Sequence, residues 1–171
     1  MGLPAKSLPA IEVLEALFTY EPESGVLAWK SNPKFKGRAI GKLGSVRHRT
    51  GYLVVGIDRC YYGVHRIIWK MMTGSEPPVC VDHIDGNKLN NRWANLRPAT
   101  NGQNIQNSKL RKDNKSGVKG VMWEPDRRKW KAVITTQGRA IRVGRYSTFD
   151  EAAAAIAEAR LKFHGEFARQ A

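Results

Sequence analysis

The stretch from Val81 to Asn104 constrains the fold more than any other part of the chain. An apolar approach ends in adjacent Asp82 and His83, which reads as a β-strand carrying two polar side chains at its end. Asp85-Gly86-Asn87 makes a polar turn, and an apolar segment then returns. Thr100 with Gln103 forms a capping box that starts a helix, with Asn104 about one turn into it. A hairpin that brings a strand end and a helix start together can hold several polar side chains around one point.

Phosphodiester hydrolysis needs a base to activate water, a cation to stabilise charge on the phosphorane and leaving oxygen, and a phosphate held in line. Histidine suits the first task because its ordinary pKa lies near working pH. Aspartate and asparagine offer hard oxygen atoms, which suit Mg²⁺ or Mn²⁺ rather than Zn²⁺. Taken singly, an Asp-His pair is usually solvated and an Asp-Gly-Asn cluster is usually a turn. The ordered set carries the argument.

That set resembles the His-Asn-His (HNH) endonucleases, in the phage and intron-encoded branch with the ββα-metal motif. The resemblance runs from Tyr20-Glu21-Pro22-Glu23-Ser24-Gly25-Val26-Leu27 through His65-Arg66 to Asn104. It is most specific where Asp82-His83-Ile84-Asp85-Gly86-Asn87 is followed by Asn90-Asn91 and Asn95-Leu96. It implies that Asp82 is a metal ligand, that His83 is the general base, that Asn95 orients the His83 ring, and that Asn104 is the second protein ligand. Asparagine stands at 104 where many relatives have a second histidine, which favours one Mg²⁺ with several waters, or Mn²⁺, over zinc. Asp85, Asn87 and Asn91 are assigned to loop architecture or phosphate contacts. Arg66 is a candidate DNA contact, with a packed role for His65-Arg66 equally open.

Ahead of this stretch, Ser7 and Pro9 suggest the start of a helix with Ile11, Leu14, Leu17 and Phe18 on one face. A turn at 21–25 leads to a strand at Val26-Leu27-Ala28-Trp29, and residues 31–50 suggest a loop rich in glycine and basic residues. Two β-rich runs, 52–57 and 61–65, flank a turn at Asp58-Arg59 and suggest a hairpin. Ile67, Ile68, Met71 and Met72 suit a short helix ended by Gly74.

Composition changes after Asn107. Lys109, Arg111, Lys112 and Lys115 lie in a polar stretch that reads as a basic linker over 107–115, with Arg111 and Lys112 as candidate DNA contacts. Three strands follow, at 118–123, 129–135 and 139–146, and a second capping box, Thr148 with Glu151, starts an alanine-rich helix from Phe149 to about Phe163. The residues from Ser116 to Ala168, with Lys129-Trp130-Lys131-Ala132-Val133-Ile134 and Val143-Gly144-Arg145-Tyr146-Ser147-Thr148 among them, resemble the plant ethylene-response-factor DNA-binding domain. That resemblance implies a three-stranded sheet in the DNA major groove with the helix packed behind it. Alternation puts Trp130, Ala132, Ile134, Ile141 and Val143 toward the helix. Family positions put Lys119, Met122, Thr135 and Arg142 on the DNA side, with Lys131 projecting the same way; Arg127, Arg128, Arg139 and Arg145 are candidate phosphate contacts.

The chain has 171 residues and a formal net charge of +14, an excess that points to a polyanionic partner. Cys60 and Cys80 form no metal-binding spacing, and a reduced cytoplasmic setting, the bacterial host cell if the gene is phage-borne or mobile, is expected. No stretch approaches transmembrane length, so no membrane partner is expected. The expectation is an α+β chain: a nuclease domain over 1–106, with its ββα-metal core at about 79–106, then the linker and a DNA-binding domain over 116–171. The function expected is a site-preferring endonuclease of phage or homing type, acting on double-stranded DNA as a monomer or as a dimer formed transiently on DNA, one strand per active site. Two alternatives stay open: a non-cleaving DNA-binding regulator, and an RNA-binding or RNA-cleaving protein.

Overall fold

A computed structural model describes residues 7–30, 46–111 and 113–168. The chain is mixed α+β, built from small antiparallel sheets, and it separates into two compact units, Met1–Ala99 and Thr100–Ala171. Most of the glycine-rich stretch expected to be a loop, and Lys112, lie outside the described residues.

The first unit opens with α1 (Ile11–Leu17), capped by Ala10 and not by Ser7, which makes no cap bond. Leu8 is buried in the core, and a residue before proline is pushed toward extended backbone, so the helix begins only beyond Pro9. Phe18 leaves the helical face expected of it and begins β1 (Phe18–Glu21), a strand the sequence pattern did not announce. It pairs with Trp29 of β2 (Val26–Trp29), and the two rings stack at 4.3 Å. That pairing and ring contact outcompete a further helical turn. The expected turn at 21–25 joins the two strands.

A second sheet runs in the order β3 (Val46–Arg47), β4 (Leu53–Ile57), β5 (Cys60–Gly63). The β4–β5 hairpin turns at Asp58 and Arg59, both in the left-handed region, as a two-residue connection between right-twisted strands requires. His65 was expected to close the second strand; it is instead the second residue of α2 (Val64–Thr73). Val64, Ile67 and Ile68 share the buried side of that helix, and their helical spacing overrides the β-rich composition. Gly74 closes α2 in the left-handed conformation expected of a glycine stop. The last pair is β6 (Cys80–His83) with β7 (Leu96–Ala99), in a register that sets Asp82 opposite Arg97 and His83 opposite Leu96. Leu14, Phe18, Leu27, Val55, Ile67, Ile68, Val81 and Leu96 close over one core.

The second unit begins with α3 (Asn101–Gln106), whose Thr100–Gln103 capping box makes both of its bonds. A three-stranded sheet in the order β10 (Arg139–Tyr146), β9 (Lys129–Thr136), β8 (Val121–Glu124) packs on α4 (Phe149–His164). The Thr148–Glu151 capping box is complete as well. Ala132 and Ile134 are buried against Ala152, Ile156 and Ala159. Val143 joins this core, but Ile141, expected to pack inward, is 38 % exposed. It pairs with Ile134 and so shares that face, yet it lies on the edge strand. A register shift between Arg142 and Gly144 matters more. Three residues apart, Arg142 and Arg145 would point to opposite faces of a regular strand; the bulge returns both to the face away from the helix.

Candidate active site

His83 ends β6 and is 3 % exposed. Its Nε2 lies 3.1 Å from Asn91 Oδ1, and the Asn91 amide is oriented by donating its Nδ2 to Leu89 O at 3.4 Å. An amide oxygen only accepts, so Nε2 carries the proton and Nδ1 the lone pair. Burial lowers the His83 pKa; the Asn91 bond and the carboxylates of Asp85 and Asp82 push it up, and Lys88 lowers it, with a net downward shift. The ring is therefore neutral near pH 7, the state a general base requires.

Asn91, assigned from sequence to loop architecture or phosphate contact, is thus the residue that holds the ring, and it is 2 % exposed. The expected orienter, Asn95, does something else. Its Nδ2 donates to Asp85 Oδ1 at 3.0 Å and to Asn90 O at 2.8 Å, and its Oδ1 accepts from Asp85 N at 3.0 Å. Asn95 therefore ties the loop shut. Asp85 is the hub: it also accepts from Asn87 N and Asn90 Nδ2. Burial pushes the Asp85 pKa up, but these hydrogen bonds outweigh it and hold the carboxyl below its usual range. The physical reason for the exchange of roles is this hub, which turns Asn95 toward Asp85 and leaves Asn91 facing His83.

The loop is braced from outside. Tyr20 donates its hydroxyl to Asn91 O at 2.8 Å, and Trp93 N donates to Pro22 O at 3.2 Å. Gly25, with φ +74°, comes so close that a Cβ there would stand 2.4 Å from Arg92 N and 2.6 Å from Asn91 C. Only glycine permits this approach.

Asp82 is buried, and its Oδ2 accepts from Arg97 Nε at 3.0 Å and lies 2.9 Å from another guanidinium nitrogen. Sequence reasoning missed Arg97; counting the β6–β7 register would have found it opposite Asp82. Beside His83 stand two more rings. His65 meets it edge-on at 5.4 Å, and Tyr52 lies 4.9 Å from His65 and 5.9 Å from His83. His65 Nδ1 is buried with no hydrogen-bond partner. Burial first, then the neighbouring positive groups, hold its pKa at about 3. Burial raises the Tyr52 pKa, helped by Asp82.

Asn104 stands on α3 in the second unit and is half-buried. Among the described residues no three His, Cys, Asp or Glu side chains gather as a metal-binding group. The buried Asp82 carboxylate is a hard oxygen ligand of the kind that suits a cation keeping several waters.

The other expected contacts fall into two kinds. Arg127, Arg128, Thr135, Arg139, Arg142 and Met122 are exposed, as is Arg111, which pairs with Asp113. The rest are engaged. Arg66 donates to Pro78 O and Val79 O. Lys119 donates to the carbonyls of Ile105, Gln106 and Ser108 at the end of α3. Lys131 and Arg145 flank Glu124, whose carboxyl they hold at about 2, chiefly through the Arg145 hydrogen bond.

A family model described as HNH endonuclease matches residues 62–106. Protein 3.8 of Escherichia phage T7 is 38 % identical over 106 residues, covering 61 % of this chain and 87 % of that protein. An uncharacterized HNH endonuclease of Acanthamoeba polyphaga mimivirus is 34 % identical over 122 residues, covering 70 % of this chain and 62 % of that protein. Residues 62–106 are thus an HNH endonuclease family domain, in a chain that belongs with phage protein 3.8. No solved structure matches it.

Proposed function

We propose that the chain is a site-preferring DNA endonuclease of phage or homing type, in which His83 is the general base for phosphodiester hydrolysis. The observation that carries this reading is the His83 imidazole, fixed through Nε2 by Asn91 so that Nδ1 holds the lone pair, next to the buried carboxylate of Asp82. Nδ1 takes a proton from water as its oxygen attacks phosphorus, and the leaving 3′-oxygen is protonated from solvent. The resulting ends are 5′-phosphate and 3′-hydroxyl, as the family resemblance implies. HNH nucleases are generally dependent on a divalent metal. By the resemblance, Asp82 and Asn104 would be its protein ligands here; Mg²⁺ or Mn²⁺ would supply charge stabilisation at the phosphate and leaving oxygen. Arg97 holds the Asp82 carboxylate in place. One such centre per chain cuts one strand at a time.

The open face of the β8–β10 sheet supports a DNA-reading role for the second unit. Register puts Met122, Lys131, Thr135, Arg142 and Arg145 on that face, with Glu124 as an acidic member between cations. As a domain boundary we retain 1–106 for cleavage, 107–115 as linker and 116–171 for reading, in double-stranded DNA. No helix among the described residues is long and apolar enough to cross a membrane.

The test is conversion of supercoiled plasmid, and of phage or host genomic DNA, to nicked or linear product in Mg²⁺. Cutting that EDTA abolishes and that His83→Ala lacks is the expected result. Absence of cutting on every DNA, with tight duplex binding retained, would replace the enzyme by a DNA-binding regulator.

A further inference from the structure

The polar loop of the site holds a cation that neither the family pattern nor the base and ligand roles above employ. Lys88 follows the Asp85-Gly86-Asn87 turn, and its ammonium lies 4.3 Å from the centre of the Tyr52 ring. One of its three N–H donors goes to Thr50 O at 3.0 Å. Its stem passes Gly51, where Cδ is 3.6 Å from the position a Cβ would take. Exposed lysines normally sweep a wide volume, and fixing one costs side-chain entropy. Here a ring face and a backbone carbonyl meet that cost, and the fixed ammonium stands one aromatic ring away from His83.

The Tyr52 ring is itself wedged against His65 and His83, so the two imidazoles, the phenol and the ammonium form a continuous wall. The residue is exposed, which leaves the ammonium open to a large polyanion. A compact, rotatable point charge suits a single phosphate oxygen, and an aromatic face beneath it adds no competing anion.

We propose that Lys88 grips a non-bridging oxygen of the phosphodiester being cut, with Tyr52 and Thr50 as its mount. This assignment rests on the endonuclease reading and adds to it a substrate-contacting residue. It places the fixed positive charge of the protein on the Tyr52 side of the phosphate. Attack at phosphorus increases negative charge on that oxygen, so the contact is stronger in the transition state than in the ground state.

Single-turnover cleavage of duplex DNA in Mg²⁺ at saturating protein tests it with two substitutions in the full chain. Lys88→Met keeps the length and apolar stem over Tyr52 and removes the charge; Lys88→Arg keeps a charge. The expected result is a rate about 10- to 1000-fold lower for Lys88→Met, at least tenfold recovery in Lys88→Arg, and unfolding midpoints equal to the parent in both. A Lys88→Met protein that cuts at the parent rate overturns the assignment while the endonuclease reading stands. Equal losses in both variants with a lowered unfolding midpoint overturn it in favour of a structural lysine. A parent chain that cuts no DNA removes the endonuclease reading, and this assignment with it.

Discussion

At the scale of single residues, the site depends on amides whose identity is common and whose placement is not. Asn91 Oδ1, 3.1 Å from His83 Nε2, accepts the proton that the ring carries there. Asn91→Ala should lower the cleavage rate about 10- to 100-fold, the usual effect of losing a partner that orients a reacting imidazole. Asn95→Ala should act by loosening the loop and lower the unfolding midpoint as well; a midpoint unchanged by it would leave the Asp85 hub without its assigned part. His65 gives a test independent of activity. Its pKa of about 3 in the fold against 6.5 in the unfolded chain means that the unfolded state binds the extra proton between those values. Stability from this group is thus complete above about pH 6.5 and falls as pH drops toward 3, by on the order of 5 kcal/mol across the window. His65→Phe fills the same space without a titrating nitrogen and should flatten that part of the stability-pH curve, read from urea midpoints at pH 7 and pH 4.5. An unchanged slope would mean that the buried imidazole is not the source of the acid sensitivity.

At the scale of elements, the β1–β2 hairpin serves the catalytic loop. Gly25 in its turn packs on the Asn91–Arg92 backbone, and Tyr20 on β1 bonds the Asn91 carbonyl. Gly25→Ala sets a Cβ 2.4 Å from Arg92 N at a positive φ and should cost about 1–3 kcal/mol. Because the displaced atoms form the Asn91–Arg92 peptide bond, the cleavage rate should fall further than destabilisation alone explains, which assays well below the unfolding temperature can separate. Full activity in the folded variant would show that the hairpin stabilises the unit without positioning His83. Local signals made much of the fold legible in the sequence. Both capping boxes, the Gly74 stop, the Asp58-Arg59 turn and the strand ending at His83 depend only on neighbours within a few residues. What escaped depends on distant partners. β1 forms because Phe18 meets Trp29, Arg97 matters because register sets it against Asp82, and the bulge that aligns Arg142 with Arg145 leaves no mark on a period-two pattern. The site was legible as a set of residue types in order. Which asparagine faces the imidazole was not, because the Asp85 hub decides it.

For the whole molecule, the proposed DNA-reading role would draw its affinity from the formal charge of +14 and its selectivity from the arrangement of the cations. Charge alone attracts any duplex and does so by releasing counterions, so binding weakens steeply with salt. The arginines of the second unit then divide by role. Arg127 and Arg128 follow β8 in an exposed turn, and under the proposed role they would contact phosphates. Arg142 lies on the open sheet face opposite Val133 in the register, and under the proposed role it would make a bidentate contact to a base edge. Arg127→Ala should weaken all duplexes alike and reduce the slope of log affinity against log salt by about one. Arg142→Ala should cost about 1–3 kcal/mol on the preferred sequence and much less on others, so the ratio between preferred and random duplex shrinks while the salt slope moves little. Titrations of both variants against both duplexes at several salt concentrations distinguish the two. Identical behaviour of Arg142→Ala and Arg127→Ala would place the open sheet face on the backbone, and preference for a site would then have to come from the deformability of the DNA or from the cleavage unit itself.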